Sequence, residues 1–168
     1  MSGRVLGLLT LAVLLVATAA TARRDLARVR ANRALWVTET QASRMAAQGM
    51  TQRQVLGRNL GGLLRAQEAS PDDARLPHAI GSHYLLLGQL GNAETWYRRA
   101  IALEPRAETY LNLARVVEQR GRRDEAAELY RQAVLLTPSL GRELPGWAAT
   151  AVRGAGRSGG GRRREGGR

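Results

Sequence analysis

The sequence predicts an all-α chain, a short solenoid of helix-turn-helix pairs preceded by an N-terminal transmembrane or signal helix. Three observations predict it. Residues 5–22 carry no charge, residues 74–139 repeat at a spacing of 33, and the apolar residues inside that repeat recur at helical spacing. The resulting division is 1–22 for the apolar segment, 23–73 for a basic juxtamembrane helix and a worn helix pair, and 74–139 for the two repeats. Residues 140–152 follow as a capping helix and 153–168 as a disordered Gly/Arg tail, too poor in apolar residues to bury surface.

The first element is the run VLGLLTLAVLLVATAATA from Val5 to Ala22. At about 1.5 Å per residue its eighteen residues make roughly 27 Å of helix, enough for a hydrocarbon core of about 30 Å. Two readings compete. A cleaved signal has Arg4 before the apolar core and Ala20-Thr21-Ala22 as its cleavage site. An anchor continues as helix, because no Gly or Pro falls between Gly7 and Gly49. Arg23, Arg24, Arg28, Arg30 and Arg33 crowd the far side, where they resist translocation and meet anionic headgroups. They favour the anchor, a single pass through a bacterial inner membrane, with the repeats facing cytoplasm or periplasm. All 26 basic residues are Arg and 19 residues are Gly, as a high-GC coding sequence would produce, so not every Arg need be selected for function.

The worn helix pair comes next. Gly49-Met50-Thr51 reads as a turn, and Thr51 with Gln54 as a capping box that starts a helix. Leu63, Leu64, Ala66 and Ala69 are its apolar face, and Ser70-Pro71-Asp72-Asp73 its exit. Gly57, Gly61 and Gly62 oppose helix formation by about 1 kcal/mol each relative to Ala.

Aligning 74–106 with 107–139 gives eight identical columns: Ala74/Ala107, Gly88/Gly121, Ala93/Ala126, Tyr97/Tyr130, Arg98/Arg131, Ala100/Ala133, Leu103/Leu136 and Pro105/Pro138. Leu76, Ile80, Tyr84 and Leu87 form one stripe of a first helix. Gly88 and Gly121 end that helix in the left-handed conformation that glycine adopts without a Cβ penalty. Asn92 and Asp124 suit the start of the second helix. Its alanines admit a close neighbour, its Tyr fills the remaining wedge, and Pro105 and Pro138 stop it. Beyond Pro138, residues Pro145 to Val152 with Trp147 are expected to cover the last apolar face.

This pattern resembles the tetratricopeptide repeat. The family's small residue falls at Gly81 and Ala114, and its mid-helix aromatic at Tyr84, with Val117 in the second copy. Its Ala, aromatic, Ala and Pro fall at Ala93, Tyr97, Ala100, Pro105 and at Ala126, Tyr130, Ala133, Pro138. The first-helix Trp is absent, with Pro77 and Tyr110 at that point. The resemblance implies a protein or peptide partner on a concave face lined by first helices. On that face would lie Arg75, His78, Ser82, Leu85 and Leu86, then Glu108, Leu111, Asn112, Arg115, Glu118 and Gln119. Leu85 and Leu86 would equally serve as packing against neighbouring helices. Of the clamp of Lys, Asn and Arg that holds a terminal carboxylate in some members, only Asn112 and Arg115 have counterparts, so that role does not transfer.

Charge and composition narrow the function further. The formal net charge is +12, with an excess of eight in residues 1–66 and five in 148–168, against minus one across 67–147. Nucleic-acid folds concentrate basic charge on the folded face, so this distribution argues against nucleic acid as the partner of the repeats. The tail's Gly and Arg, with no aromatic for base stacking, leave an RNA-associated adaptor as one alternative. An exported periplasmic repeat protein is the other. There is no Cys, and His78 and His83 are five apart, on different faces of a helix. No phosphate loop is possible without Lys. The expectation is a scaffold and not an enzyme, without cofactor, metal or small-molecule substrate.

Overall fold

The computed structural model describes residues 2–47 and 51–158, with side chains over 12–36 and 51–154. It is helical throughout: α1 (Ser2–Ala47), α2 (Gln52–Ala69), α3 (Arg75–Leu86), α4 (Leu90–Leu103), α5 (Ala107–Gln119), α6 (Arg123–Leu136), a 3-10 turn (Pro138–Arg142) and α7 (Gly146–Ser158). The chain divides into two compact units, Met1–Leu76 and Pro77–Arg168.

In the first unit α1 is unbroken, in keeping with the absence of Gly and Pro between Gly7 and Gly49. The Thr18 and Thr21 hydroxyls donate to carbonyls one turn back, Thr18 to Leu14 at 3.0 Å and Thr21 to Thr18 at 2.8 Å, so these polar atoms are satisfied within the helix. Among the described residues no helix is long and apolar enough to cross a membrane. The expected span at 5–22 is thus not shown. The side chains of 5–11, like that of Arg4, lie outside the described residues. Arg23, Arg24, Arg28 and Arg30 are exposed along α1.

Helix α2 begins as its sequence predicts. Thr51 Oγ1 accepts the Gln54 amide at 3.3 Å and Gln54 Oε1 accepts the Thr51 amide at 2.9 Å, a complete capping box. Gly49 and Met50 lie outside the described residues. Helix α2 packs along α1 through Val55, Leu60, Leu63 and Ala66, and α1 contributes the fully buried Ala31. Three glycines inside the helix do not break it.

In the second unit, helices end where the repeat places its glycines. Gly88 has φ +75° and Gly121 φ +81°. Across each turn an amide reaches five residues back, Gln89 to the Tyr84 carbonyl at 2.9 Å and Arg122 to the Val117 carbonyl at 3.1 Å. This closure moves the start of the second helices. Asn92 and Asp124 are not their caps: the N-caps are Gln89 and Arg122, without side-chain capping bonds. The glycine turn commits these residues at once, so Asn92 falls inside the first turn and donates to Gln89 Oε1 at 2.8 Å. Helices α4 and α6 end at Leu103 and Leu136, ahead of Pro105 and Pro138.

The core runs through Ala93, Tyr97, Leu111, Leu113, Ala114, Val116, Val117, Ala126, Tyr130, Ala133, Leu144 and Ala148. Both tyrosines are fully buried. Helix α7 closes its open end and is longer than the sequence indicates, since residues 153–158 continue the helix. Extending an existing helix adds one hydrogen bond for each residue fixed and avoids a second nucleation. Residues 159–168 of the expected disordered tail lie outside the described residues.

Candidate functional site

The first helices of successive pairs are tied edge to edge. His78 Nδ1 on α3 meets Thr109 Oγ1 on α5 at 2.9 Å. On α5, Glu118 accepts from two partners, Tyr130 Oη on α6 at 2.8 Å and Trp147 Nε1 on α7 at 2.7 Å. The Trp147 ring stands edge-on to Tyr130, with centroids 6.0 Å apart, and Arg123 lies over its face at 5.1 Å. Helix α7 thereby occupies the place a further first helix would take.

Each repeat tyrosine carries its hydroxyl to this face. Ser82 Oγ donates to the His78 carbonyl at 3.1 Å, and its single proton is then used, so Tyr97 Oη donates to Ser82 at 3.0 Å. Burial raises the Tyr97 hydroxyl pKa and prevails over the lowering effect of the Arg115 charge. Burial also raises that of Tyr130, and the Glu118 carboxylate adds to it. His78 is shifted down by burial, with Glu108 opposing and Arg106 reinforcing, so its imidazole stays neutral to lower pH than a free one. The Arg115 guanidinium donates to Asn112 Oδ1 at 3.4 Å. Chemically the face offers neutral hydroxyls, the bonded carboxylate of Glu118, the exposed carboxylate of Glu108 and the exposed guanidinium of Arg115.

The predicted surface residues separate into three groups. Leu86, Glu108, Arg115 and Gln119 are exposed, as is Arg75, which belongs to the first unit and pairs with Asp73 at 2.6 Å. His78, Ser82, Asn112 and Glu118 are half-buried and hydrogen-bonded within the protein. Leu111 is a core residue, 5% exposed, and Leu85 packs against the same core. Position 111 aligns with His78, yet its side chain meets the interior because an apolar residue there gains by burial what a histidine does not.

Sequence reasoning missed one buried charge. Glu94, 3% exposed, sits in a column whose partner is Ala127, so the repeat gives no signal for it. Its carboxylate takes hydrogen bonds from Arg98 on its own helix and from Arg120 and Arg122 in the turn between α5 and α6. Arg98 and Arg122 also hold Glu125, at 2.6 and 3.1 Å. The network ties the first repeat to the second. Burial pushes the Glu94 carboxyl up, and hydrogen bonds from Arg122 and Arg98 prevail and hold it below the usual range.

Comparison with known proteins agrees with this geometry. Residues 74–106 and 109–144 each match a tetratricopeptide repeat model. The human protein O-mannosyl-transferase TMTC1 is 38% identical over 65 residues, which are 39% of this chain and 7% of that protein. The chain thus spans a small fraction of that curated relative. The crystal structure of MamA superposes with a TM-score of 0.56 at 20% identity, over 81% of this chain and 76% of that one. TTC0263, a thermophilic TPR protein of Thermus thermophilus, gives 0.52 at 28% identity over 71% and 59%. The repeat spacing, the glycine turns, the tyrosine wedges and these matches have one meaning: residues 74–106 and 109–144 are tetratricopeptide repeats in an all-α helical solenoid.

Proposed function

We propose that this chain is a non-enzymatic scaffold of a bacterial inner membrane, anchored by residues 5–22, that holds a partner protein on the face formed by α3 and α5. Tetratricopeptide repeats typically bind other proteins, and the present pair leaves side chains of different chemistry free for that purpose. The observation that carries the reading is the exposure of Leu86, Glu108, Arg115 and Gln119 beside a row of satisfied, half-buried polar groups. An apolar side chain, an acid, a base and an amide on a rigid base suit a protein surface better than one small substrate.

Anchoring is supported by the continuity of α1 through Ala20-Thr21-Ala22 and by the exposed arginines that follow. Export with cleavage is the alternative that the same Ala-Thr-Ala tripeptide favours. N-terminal sequencing of the mature protein separates the two, because a chain that starts at Arg23 is exported and unanchored. For the binding face, a photo-crosslinking residue at Arg115 in intact membranes is expected to give discrete adducts, and one at Thr95 on α4 none. Equal labelling from both sites, or none from Arg115, would overturn the assignment of this face.

A further inference from the structure

A cleft of about 630 Å³ opens between α1 and α2, wholly within the first unit. It is lined by Arg30, Arg33 and Ala34 of α1 and by Arg58, Asn59, Gly62, Arg65, Ala66 and Ala69 of α2. Positions 30, 33 and 34 share one face of α1, and 58, 62, 65 and 69 recur at helical spacing on α2. The two helices thus bring four guanidinium groups to one opening. Among the described residues no carboxylate lines it.

The arginines of this cleft differ from the five of the second unit that are held in ion pairs. In the second unit Arg98, Arg106, Arg120, Arg122 and Arg131 all pair with glutamates. Arg30, Arg33, Arg58 and Arg65 make no ion pair among the described residues. Four like charges around one opening repel, and none of them is neutralised by an ion pair among the described residues. The lower wall is small: alanines at 34, 66 and 69, and Gly62, where an added Cβ would meet nothing within 4 Å. The volume lies in the range of small-ligand sites, and a guanidinium presents paired N–H groups that match the oxygens of phosphate.

The geometry points to a binding site for a polyvalent phosphate anion, held between the guanidinium groups of Arg30 and Arg33 and those of Arg58 and Arg65. Arg30 lies eight residues beyond Ala22, about 12 Å along a helix. If residues 5–22 are embedded as proposed above, the cleft opens near the phosphate layer of the bilayer. The ligand chemistry is the same whether the phosphate belongs to a lipid headgroup or to a soluble ester, and the test separates the sources.

The test uses the full chain in detergent micelles titrated with tripolyphosphate, and in parallel its capture by phosphatidylcholine vesicles with and without cardiolipin. The double variant Arg58→Gln/Arg65→Gln, with both positions on the solvent side of α2, is compared with Arg53→Gln/Arg153→Gln, which removes the same charge outside the cleft. Each charged hydrogen bond lost is worth about tenfold or more, so the cleft variant is expected to bind at least tenfold more weakly while the control stays within about twofold. Gly62→Leu fills the opening without changing any charge and is expected to weaken binding in the same arm. Selective loss with tripolyphosphate assigns a soluble phosphate, and selective loss of cardiolipin-dependent capture assigns a headgroup. Equal weakening by the cleft and control variants in both arms would overturn the site and leave only diffuse attraction. A failure of anchoring shows separately, as no association with pure phosphatidylcholine vesicles, and leaves the tripolyphosphate arm readable.

Discussion

Gly81 and Tyr97 show how much one atom decides at the residue scale. A Cβ on Gly81 would lie 2.9 Å from Tyr97 Cδ1 and 3.0 Å from Cε1, and that ring is fully buried between helices. Overpacking of this kind costs about 1–3 kcal/mol, against a gain of about 1 kcal/mol from replacing Gly by Ala in a helix. Gly81→Ala is therefore expected to lower the unfolding midpoint. Gly57→Ala is the matched comparison, because it stands in α2 with nothing within 4 Å, and it is expected to gain up to about 1 kcal/mol. Thermal unfolding of both variants checks the pair; a stabilised Gly81→Ala would show that the ring has room to move. The alignment makes Gly81 a small-residue position but does not distinguish it from Ala114. Only the distance to a ring does so.

At the scale of elements, the Glu94 network is a test of pH. The folded carboxyl titrates below the unfolded value, so by linkage its contribution is complete above about pH 4.5 and is lost as pH falls through the folded value. Glu94→Gln keeps the shape and removes the charge. At neutral pH it is expected to destabilise the second unit by about 1–3 kcal/mol, since a buried acceptor of charged hydrogen bonds is weakened. Below pH 4 the difference from the parent should shrink. Chemical denaturation at neutral and acidic pH measures both, and a difference independent of pH would mean that packing, not charge, is what Glu94 supplies. Its role was not legible in sequence, because three arginines from two elements converge on it only after α4 and the α5–α6 turn are packed.

For the whole molecule, α7 decides whether two repeats suffice. Repeat arrays require terminal elements that cover the last apolar face. Here Leu144, Trp147 and Ala148 do so, and Glu118 fastens the cover through Trp147 Nε1. Glu118→Ala leaves the Tyr130 hydroxyl, buried at the centre of the unit, without its acceptor, at a cost of about 1–3 kcal/mol. A chain ended after Thr137 exposes the α6 face and is expected to unfold with lower cooperativity or to self-associate, as sedimentation and calorimetry would report. Unchanged monomeric unfolding of that truncated chain would make α7 dispensable.

The all-α class, the presence of the repeats, the capping box at Thr51 and Gln54 and the glycine turns followed from sequence alone. Each depends on local chemistry: helical periodicity, a side chain reaching its own backbone, or a φ that only glycine adopts readily. The helix starts were displaced by two or three residues, because closure of the glycine turn outweighs the capping preference of Asn92 and Asp124. Tertiary structure alone assigned Leu111 to the core, joined Glu94 to three arginines and placed Arg58 and Arg65 opposite Arg30 and Arg33. The physical reason is the same in each case. Burial and electrostatic pairing depend on distances between residues far apart in the chain, and helix packing sets those distances.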